Sequence, residues 1–202
     1  EKFEVAAEQI GTAIDKDKFA ETVTKAINGF QSEVDLMKED CYILPKYTKD
    51  SPEVAKACEK MNSELGANIT LDFSPNTEVV DSSVISQWIT VDDNMQVTFN
   101  QDVVKQYIAD LAAKYDTVGK TRNFTTATGN VVQVEGGGYG WKIDQDGEVA
   151  QLTQEIQSGA QTTREPVYSM RANSYGVNDL GNTYIEVDLT EQYMWYYQNG
   201  NI

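Results

Sequence analysis

Four stretches of this chain carry helical spacing of apolar residues with recognisable ends, and only short alternating runs separate them. That pattern decides the fold class. After Asp15 as N-cap, Phe19, Val23 and Ile27 fall four apart, and Gly29 stands where the helix should stop. Ser51 as cap and Pro52 at the first helical position open a second helix, with a stripe of Val54, Cys58, Met61 and Leu65 and Gly66 just beyond. A third, from about Asn100 to Tyr115, aligns Val104, Ile108, Leu111 and Tyr115 on one face. A fourth follows Asp144, carries Val149, Leu152 and Ile156, and ends near Gly159. The runs 68–73, 87–91, 95–99, 122–126, 131–135 and 184–189 alternate as half-buried strands do. Asp92-Asp93-Asn94 and Thr128-Gly129-Asn130 supply turns for two hairpins. Helices and hairpins come in blocks rather than in regular strand-helix-strand order. The expected fold is therefore α+β: antiparallel hairpins packed with about four amphipathic helices, then a linker and a truncated β-hairpin.

A chain of 202 residues that is 40% hydrophobic can build one sizeable core or two small ones. Its 16 Lys and Arg against 32 Asp and Glu leave a net charge of −16, which repels polyanions, so nucleic acid is not an expected partner. Histidine is absent, which removes imidazole zinc ligands and every Ser-His or Cys-His pair. The two cysteines, Cys41 and Cys58, form no Cys-x-x-Cys motif. No apolar run approaches the roughly 20 residues of a membrane span. The chain opens at Glu1 without a methionine or a signal-like segment, and reads as a mature piece whose targeting segment, if any, lay upstream.

Several motifs invite chemistry. Gly136-Gly137-Gly138-Tyr139-Gly140 suggests a phosphate loop, but Trp141 stands where a dinucleotide fingerprint needs glycine and no Gly-Lys-Ser/Thr follows, so a glycine-permitted bulge or tight turn is expected. Asp144-x-Asp146-Gly147-Glu148 has part of a calcium loop but lacks the third acidic position and the distal glutamate; a helix cap accounts for the same letters. No metal and no cofactor is expected. The carboxylates offer endless pairs for glycoside hydrolysis without marking any one. For Cys41 and Cys58 two outcomes stand: a buried pair of free thiols, or, in an exported protein, a disulfide worth about 3 kcal/mol. Among the aromatic residues, Trp88, Tyr139 and Trp141 are candidates for stacking on sugar faces, the last two because neighbouring glycines expose backbone.

One internal similarity appears, at an offset of 129 residues: Gly11 with Gly140, Ile14 with Ile143, Asp15 with Asp144, Asp17 with Asp146, Val23 with Leu152, Thr24 with Thr153 and Ile27 with Ile156. Capped amphipathic helices resemble one another by necessity; alternatively, the chain is cut from a tandem array. From Gln161 to Asn182 periodicity gives way to Pro166, Gly176, Gly181 and several Asn and Ser, as in a linker. The tail alternates from Tyr184 to Leu189 and returns through Tyr193 to Tyr197 as a second strand, too little to hold alone in water.

The run Lys114-Tyr115-Asp116-Thr117-Val118-Gly119-Lys120-Thr121-Arg122-Asn123-Phe124, followed by Gly136 to Asp144, resembles the signature of the peptidoglycan-binding domain found upstream of bacterial L,D-transpeptidase domains. Tyr184 to Tyr197 resembles the first hairpin of that catalytic domain. The resemblance implies a helical lead-in at 1–30, which could close a preceding repeat, a binding module at 31–160, a linker at 161–183, and the start of a truncated catalytic domain at 184–202. It also implies that the parent is an L,D-transpeptidase working through a cysteine acyl-enzyme. This chain lacks the histidine and the Ser-x-Gly-Cys segment, so no catalytic residue carries over and the chain itself is expected to be inactive. A vancomycin-resistance W-type wall protein fits residues 31–160 as well but explains the final hairpin poorly. The expected role is to bind or position peptidoglycan stem peptides or glycan, outside the cytoplasmic membrane of a Gram-positive-type cell; the rival is a spacer without ligand. Binding candidates are Tyr139, Trp141, Asp116, Arg122 and Trp88. The acidic surface favours the amino groups of stem peptides. The terminal hairpin is expected to pair with another copy or to fold back on the module.

Overall fold

The computed structural model describes residues 2–9, 11–176 and 178–202. Glu1 and Ile10, in the expected lead-in, and Val177, within the expected linker, lie outside them. The chain divides into two compact units, one of residues 62–90 and 97–202, the other of residues 2–61 and 91–96.

The larger unit is built on a mixed three-stranded sheet. Strand β1 (Asn68–Phe73) pairs antiparallel with β2 (Asn76–Val80) and parallel with β8 (Gln161–Arg164). Alternation in β1 sends Ile69, Leu71 and Phe73 into the core. A short helix, α3 (Ser82–Ile85), capped by Asp81, leads to the hairpin β3 (Ile89–Val91) and β4 (Val97–Phe99). Its turn falls at Asp92–Asn94 as expected, with the Asp92 carboxylate accepting the amides of Asn94 and Gln96. Helix α4 (Gln101–Tyr115) is capped by Asn100 and buries Val104, Ile108 and Leu111. The hairpin β5 (Arg122–Thr125) and β6 (Val131–Val134) turns at Gly129, whose φ of 85° suits a residue without a Cβ.

Strand β7 (Lys142–Ile143) leads into α5 (Gln145–Gln157), capped by Asp144. Helix α5 packs on α4 and β1, burying Val149, Leu152 and Ile156. At about 1.5–3 kcal/mol per fully buried side chain, this face is a large share of the unit's stabilisation. Glu148 is buried with them and is fully paired: Arg164 donates to both its oxygens, and the Val167 amide to one. Arg164 also grips Glu155 at 2.8 Å.

The expected linker is largely part of the fold. Residues 161–164 form β8, and β9 (Tyr168–Met170) pairs with β7. The run 161–164 is Gln-Thr-Thr-Arg, too polar to signal a strand, yet its place beside β1 satisfies its backbone. The last hairpin, β10 (Tyr184–Asp188) with β11 (Tyr193–Tyr197), folds back on the module: the rings of Tyr184 and Phe124 meet edge-on, and the Ala127 amide donates to the Glu186 carboxylate. Ile185, Val187, Met194 and Tyr196 stay exposed.

The smaller unit holds α1 (Lys16–Asn28) and most of α2 (Pro52–Glu64). Asp15 caps α1 as expected, but its apolar stripe is not a core face, since Ala26 is the buried residue and Ile27 is exposed. The residue with positive φ that closes α1 is Phe30, not Gly29. Ser51 does not cap α2 through its side chain; its hydroxyl accepts the Thr48 amide, while its carbonyl accepts the amides of Val54 and Ala55. The candidate disulfide is not formed. The Cys41 thiol faces Thr22 of α1 and that of Cys58 faces the Phe3 carbonyl, so the two thiols sit in separate packing environments.

Candidate binding site

The glycine-rich stretch works by close approach. A Cβ on Gly140, whose φ is 141°, would stand 2.6 Å from both the Thr117 hydroxyl and the Val118 nitrogen; one on Gly136 would run into the Gly119 backbone. Residues 136–141 can therefore lie directly against the turn 117–120 that ends α4. Thr117 and Val118 both donate their amides to the Trp141 carbonyl, and the Trp141 amide returns a bond to the Thr117 hydroxyl.

Four of the five sequence candidates meet around this turn. Arg122 donates Nε to one oxygen of Asp179 at 2.7 Å and Nη2 to the other at 2.6 Å. Its remaining donors reach the carbonyls of Lys120, Thr117 and Tyr139. The Thr117 hydroxyl adds a bond to Asp179, whose side chain is only 2% exposed. Burial opposes charge on Asp179, but the bonds from Arg122 and Thr117 and the guanidinium charge outweigh it and hold the carboxyl below its ordinary range. Tyr139 donates its hydroxyl to the Asp179 carbonyl and receives the Asn173 amide. Asp116 accepts the Ile143 amide, and burial, only partly offset by that bond, raises its pKa. Arg122 and Tyr139 thus serve as a clasp holding Asn173 and Asp179 onto the module, and their polar groups are spent inside the fold. Trp88 stands apart, 2% exposed in the core with Tyr107 edge-on at 5.1 Å, because the turn after α3 points it inward.

Trp141 anchors a cleft. Its indole N–H is held by the Ser174 carbonyl, one face is covered by Tyr175 in parallel stacking at 4.1 Å, and Tyr168 tilts against it at 4.7 Å. These three rings form one side of a cavity of about 160 Å³. The β1–β2 turn at Ser74–Pro75 also lines it, together with Phe73, which stacks on Tyr115 at 3.8 Å. Lys114 and Lys120 stand on the rim. Lys114 is anchored by Glu78 at 2.6 Å, a bond that raises its pKa, so it stays charged at any working pH. Tyr168 is pushed up to about 12 by burial and so stays a neutral phenol. Tyr175 donates its hydroxyl to Glu165, which also pairs with Arg171, and the Arg171 guanidinium lies 5.2 Å from the Tyr168 ring centre. The cleft therefore presents aromatic edges and two cations, suited to a ligand with apolar ring faces and carboxylates. Sequence reasoning missed Tyr168, Tyr175 and Asp179 because they lie in the expected linker; the aromatic residues among its Asn and Ser were the available signal. Among the described residues no cluster of side chains is arranged to hold a metal ion.

The chain belongs to the family described as "Putative peptidoglycan binding domain", whose match spans residues 47–164. Two solved structures are similar to it. One is the Ldtfm–avibactam carbamoyl enzyme, at 32% identity and a TM-score of 0.55, covering 73% of this chain and 57% of that one. The other is a cysteine-to-serine mutant of the Enterococcus faecium L,D-transpeptidase, at 33% identity and a TM-score of 0.53, covering 71% of this chain and 57% of that one. The chain thus spans less than two thirds of the length of either structure. No curated protein matches it significantly. No helix among the described residues is long and apolar enough to cross a membrane.

Proposed function

We propose that this chain is a peptidoglycan-binding module that positions stem peptides or glycan for an attached L,D-transpeptidase at the outer face of a Gram-positive-type cell, and that it does no bond-making itself. The observation that carries this reading is the cleft lined by the β1–β2 turn and the Trp141–Tyr175 stack, which gathers lysines and aromatic edges in a chain of net charge −16. Muropeptides offer ring faces, carboxylates and amines. The lysines take the carboxylates, while the acidic surface around them attracts the amines. Lys114 and Lys120 are exposed, so replacing both by alanine keeps the fold and costs only the surface ion pair to Glu78. The double variant should lose about tenfold or more in affinity for muropeptides, and retention on purified wall material should fall as salt rises. Unchanged retention in the variant would remove the cleft from the reading.

The spacer reading draws support from one observation: Arg122, Tyr139 and Trp141 direct their polar groups into the fold. It expects no retention of the unmodified chain on wall material at any salt concentration.

A further inference from the structure

Helix α4 presents more than its core face. Val104, Ile108 and Leu111 are buried, and Lys114 near its end stands at the cleft. Val103, Gln106, Tyr107 and Asp110, spaced three and four apart, line a different groove of about 510 Å³, which Trp88 and Asn100 also line. The groove has more than three times the volume of the cleft and falls within the ~300–1,000 Å³ of small-molecule sites.

Trp88 sets this groove apart. Its side chain is 2% exposed. Its amide donates to the Ile85 carbonyl and its carbonyl accepts the Asn100 amide, and among the described residues it makes no other hydrogen bond. The indole N–H therefore has no acceptor in the protein. It is not sealed from solvent either: the nitrogen keeps some accessible surface, and Trp88 lines the groove. A buried indole ordinarily finds a partner within the fold, so a donor left open in a groove calls for an acceptor from outside.

The neighbouring polar groups are also only half used. Asn100 spends its Oδ1 on the amides of Asp102 and Val103, and its NH2 donates to no described residue. Gln106 donates to Asp110 at 2.8 Å and keeps its own carbonyl oxygen open. Tyr107 meets Trp88 edge-on, and its hydroxyl makes no bond to a described residue. Burial pushes that phenol up to about 12, so it stays neutral and can both donate and accept. Val84 and Val103 add apolar surface, and the charged groups of the lining, Asp102 and Asp110, are both anionic. Open donors and acceptors set among aromatic and aliphatic carbon match a ring of hydroxyls, each of which gives and takes a bond. Two carboxylates without a cation turn phosphates and carboxylates away.

We infer that the groove on α4 binds a neutral saccharide, whose oxygens accept from Trp88, Asn100 and Tyr107 and whose hydroxyls donate to Gln106 and Asp110. Tyr107 and Lys114 lie seven residues apart on one helix, about 10 Å at ~1.5 Å per residue. A glycan in the groove and a peptide branching from it into the cleft can therefore be held together. This divides between two sites the glycan and the stem peptide that the proposed function, on which it rests, assigns to the module.

The test is a titration of the isotope-labelled 202-residue chain, followed through the assigned indole N–H signals of its three tryptophans, with N,N′-diacetylchitobiose, a neutral disaccharide without peptide. The Trp88 signal should move and saturate, while that of Trp141, whose N–H is held by Ser174, stays in place. Tyr107→Phe keeps the ring and removes a hydroxyl the fold does not use; it should melt as the unmodified chain does and bind the disaccharide about three- to tenfold more weakly. A Trp88 signal that does not move, a shift confined to Trp141 or Trp195, or full-strength binding by Tyr107→Phe overturns the inference. The two sites fail separately. A free stem peptide that shifts Trp141 while the disaccharide leaves Trp88 unmoved keeps the cleft and overturns the groove. A disaccharide that shifts Trp88 while no stem peptide binds upholds the groove and removes the cleft from the proposed function.

Discussion

Asp179→Asn keeps the shape of the clasp and removes its charge. The aspartate receives three short bonds, at 2.7 and 2.6 Å from Arg122 and 2.5 Å from Thr117. An amide oxygen at the Oδ2 position keeps the bonds from Arg122 Nη2 and Thr117, while the new NH2 faces Arg122 Nε, which can only donate. One charge-assisted bond, worth about 1.5–3 kcal/mol, is lost and the other is left with a neutral acceptor, while Arg122 retains three carbonyl acceptors. The expected destabilisation is about 2–4 kcal/mol at pH 7, inside the range for breaking a buried pair. Urea unfolding followed by tryptophan fluorescence should show a midpoint lower by about 1–2 M. The sign with pH is a second check. The Asp179 carboxyl is held below its ordinary range in the folded protein, so its contribution is full above the unfolded value of about 3.9 and is lost as pH falls through the folded one. The asparagine does not titrate, so the gap between the two proteins should close in acid. A loss under about 1 kcal/mol, or a gap independent of pH, would refute the clasp.

Gly140→Ala should cost about 2 kcal/mol or more, because the new methyl meets Thr117 and Val118 and φ is already unfavourable; Gly129→Ala, with open space around it, should cost about 1 kcal/mol for its φ alone. Thermal melts of both variants separate the contact from the conformation. Leu152→Ala should cost about 3–4 kcal/mol, whereas Ile27→Ala on α1 should cost under about 0.5 kcal/mol in the 202-residue chain, as measured by chemical unfolding.

Local chemistry was legible in the sequence. Asp15 and Asp144 cap the helices they were expected to cap, and Asp92 and Gly129 turn the hairpins they were expected to turn, because a cap or a turn is satisfied within a few residues of itself. Val104, Ile108 and Leu111 were readable as a core face because periodicity records burial. The same signal misled at Phe19, Val23 and Ile27. A stripe shows that a face is built to be covered, not that its cover is present.

Partners far apart in the chain left no such mark. Nothing within Gln161–Arg164 announces a strand; it becomes one because β1 has a free edge to offer. Arg122 and Tyr139 look like ligand contacts when only their neighbours in sequence are known, and Asp179, more than 50 residues after Arg122, turns them into a clasp. The chain's letters alone determined its helices, turns and strong negative charge, which depend on short-range geometry and composition. Which polar groups remain free to meet a ligand was decided only in three dimensions, since a hydrogen-bonding group is spent or available according to what folding brings beside it.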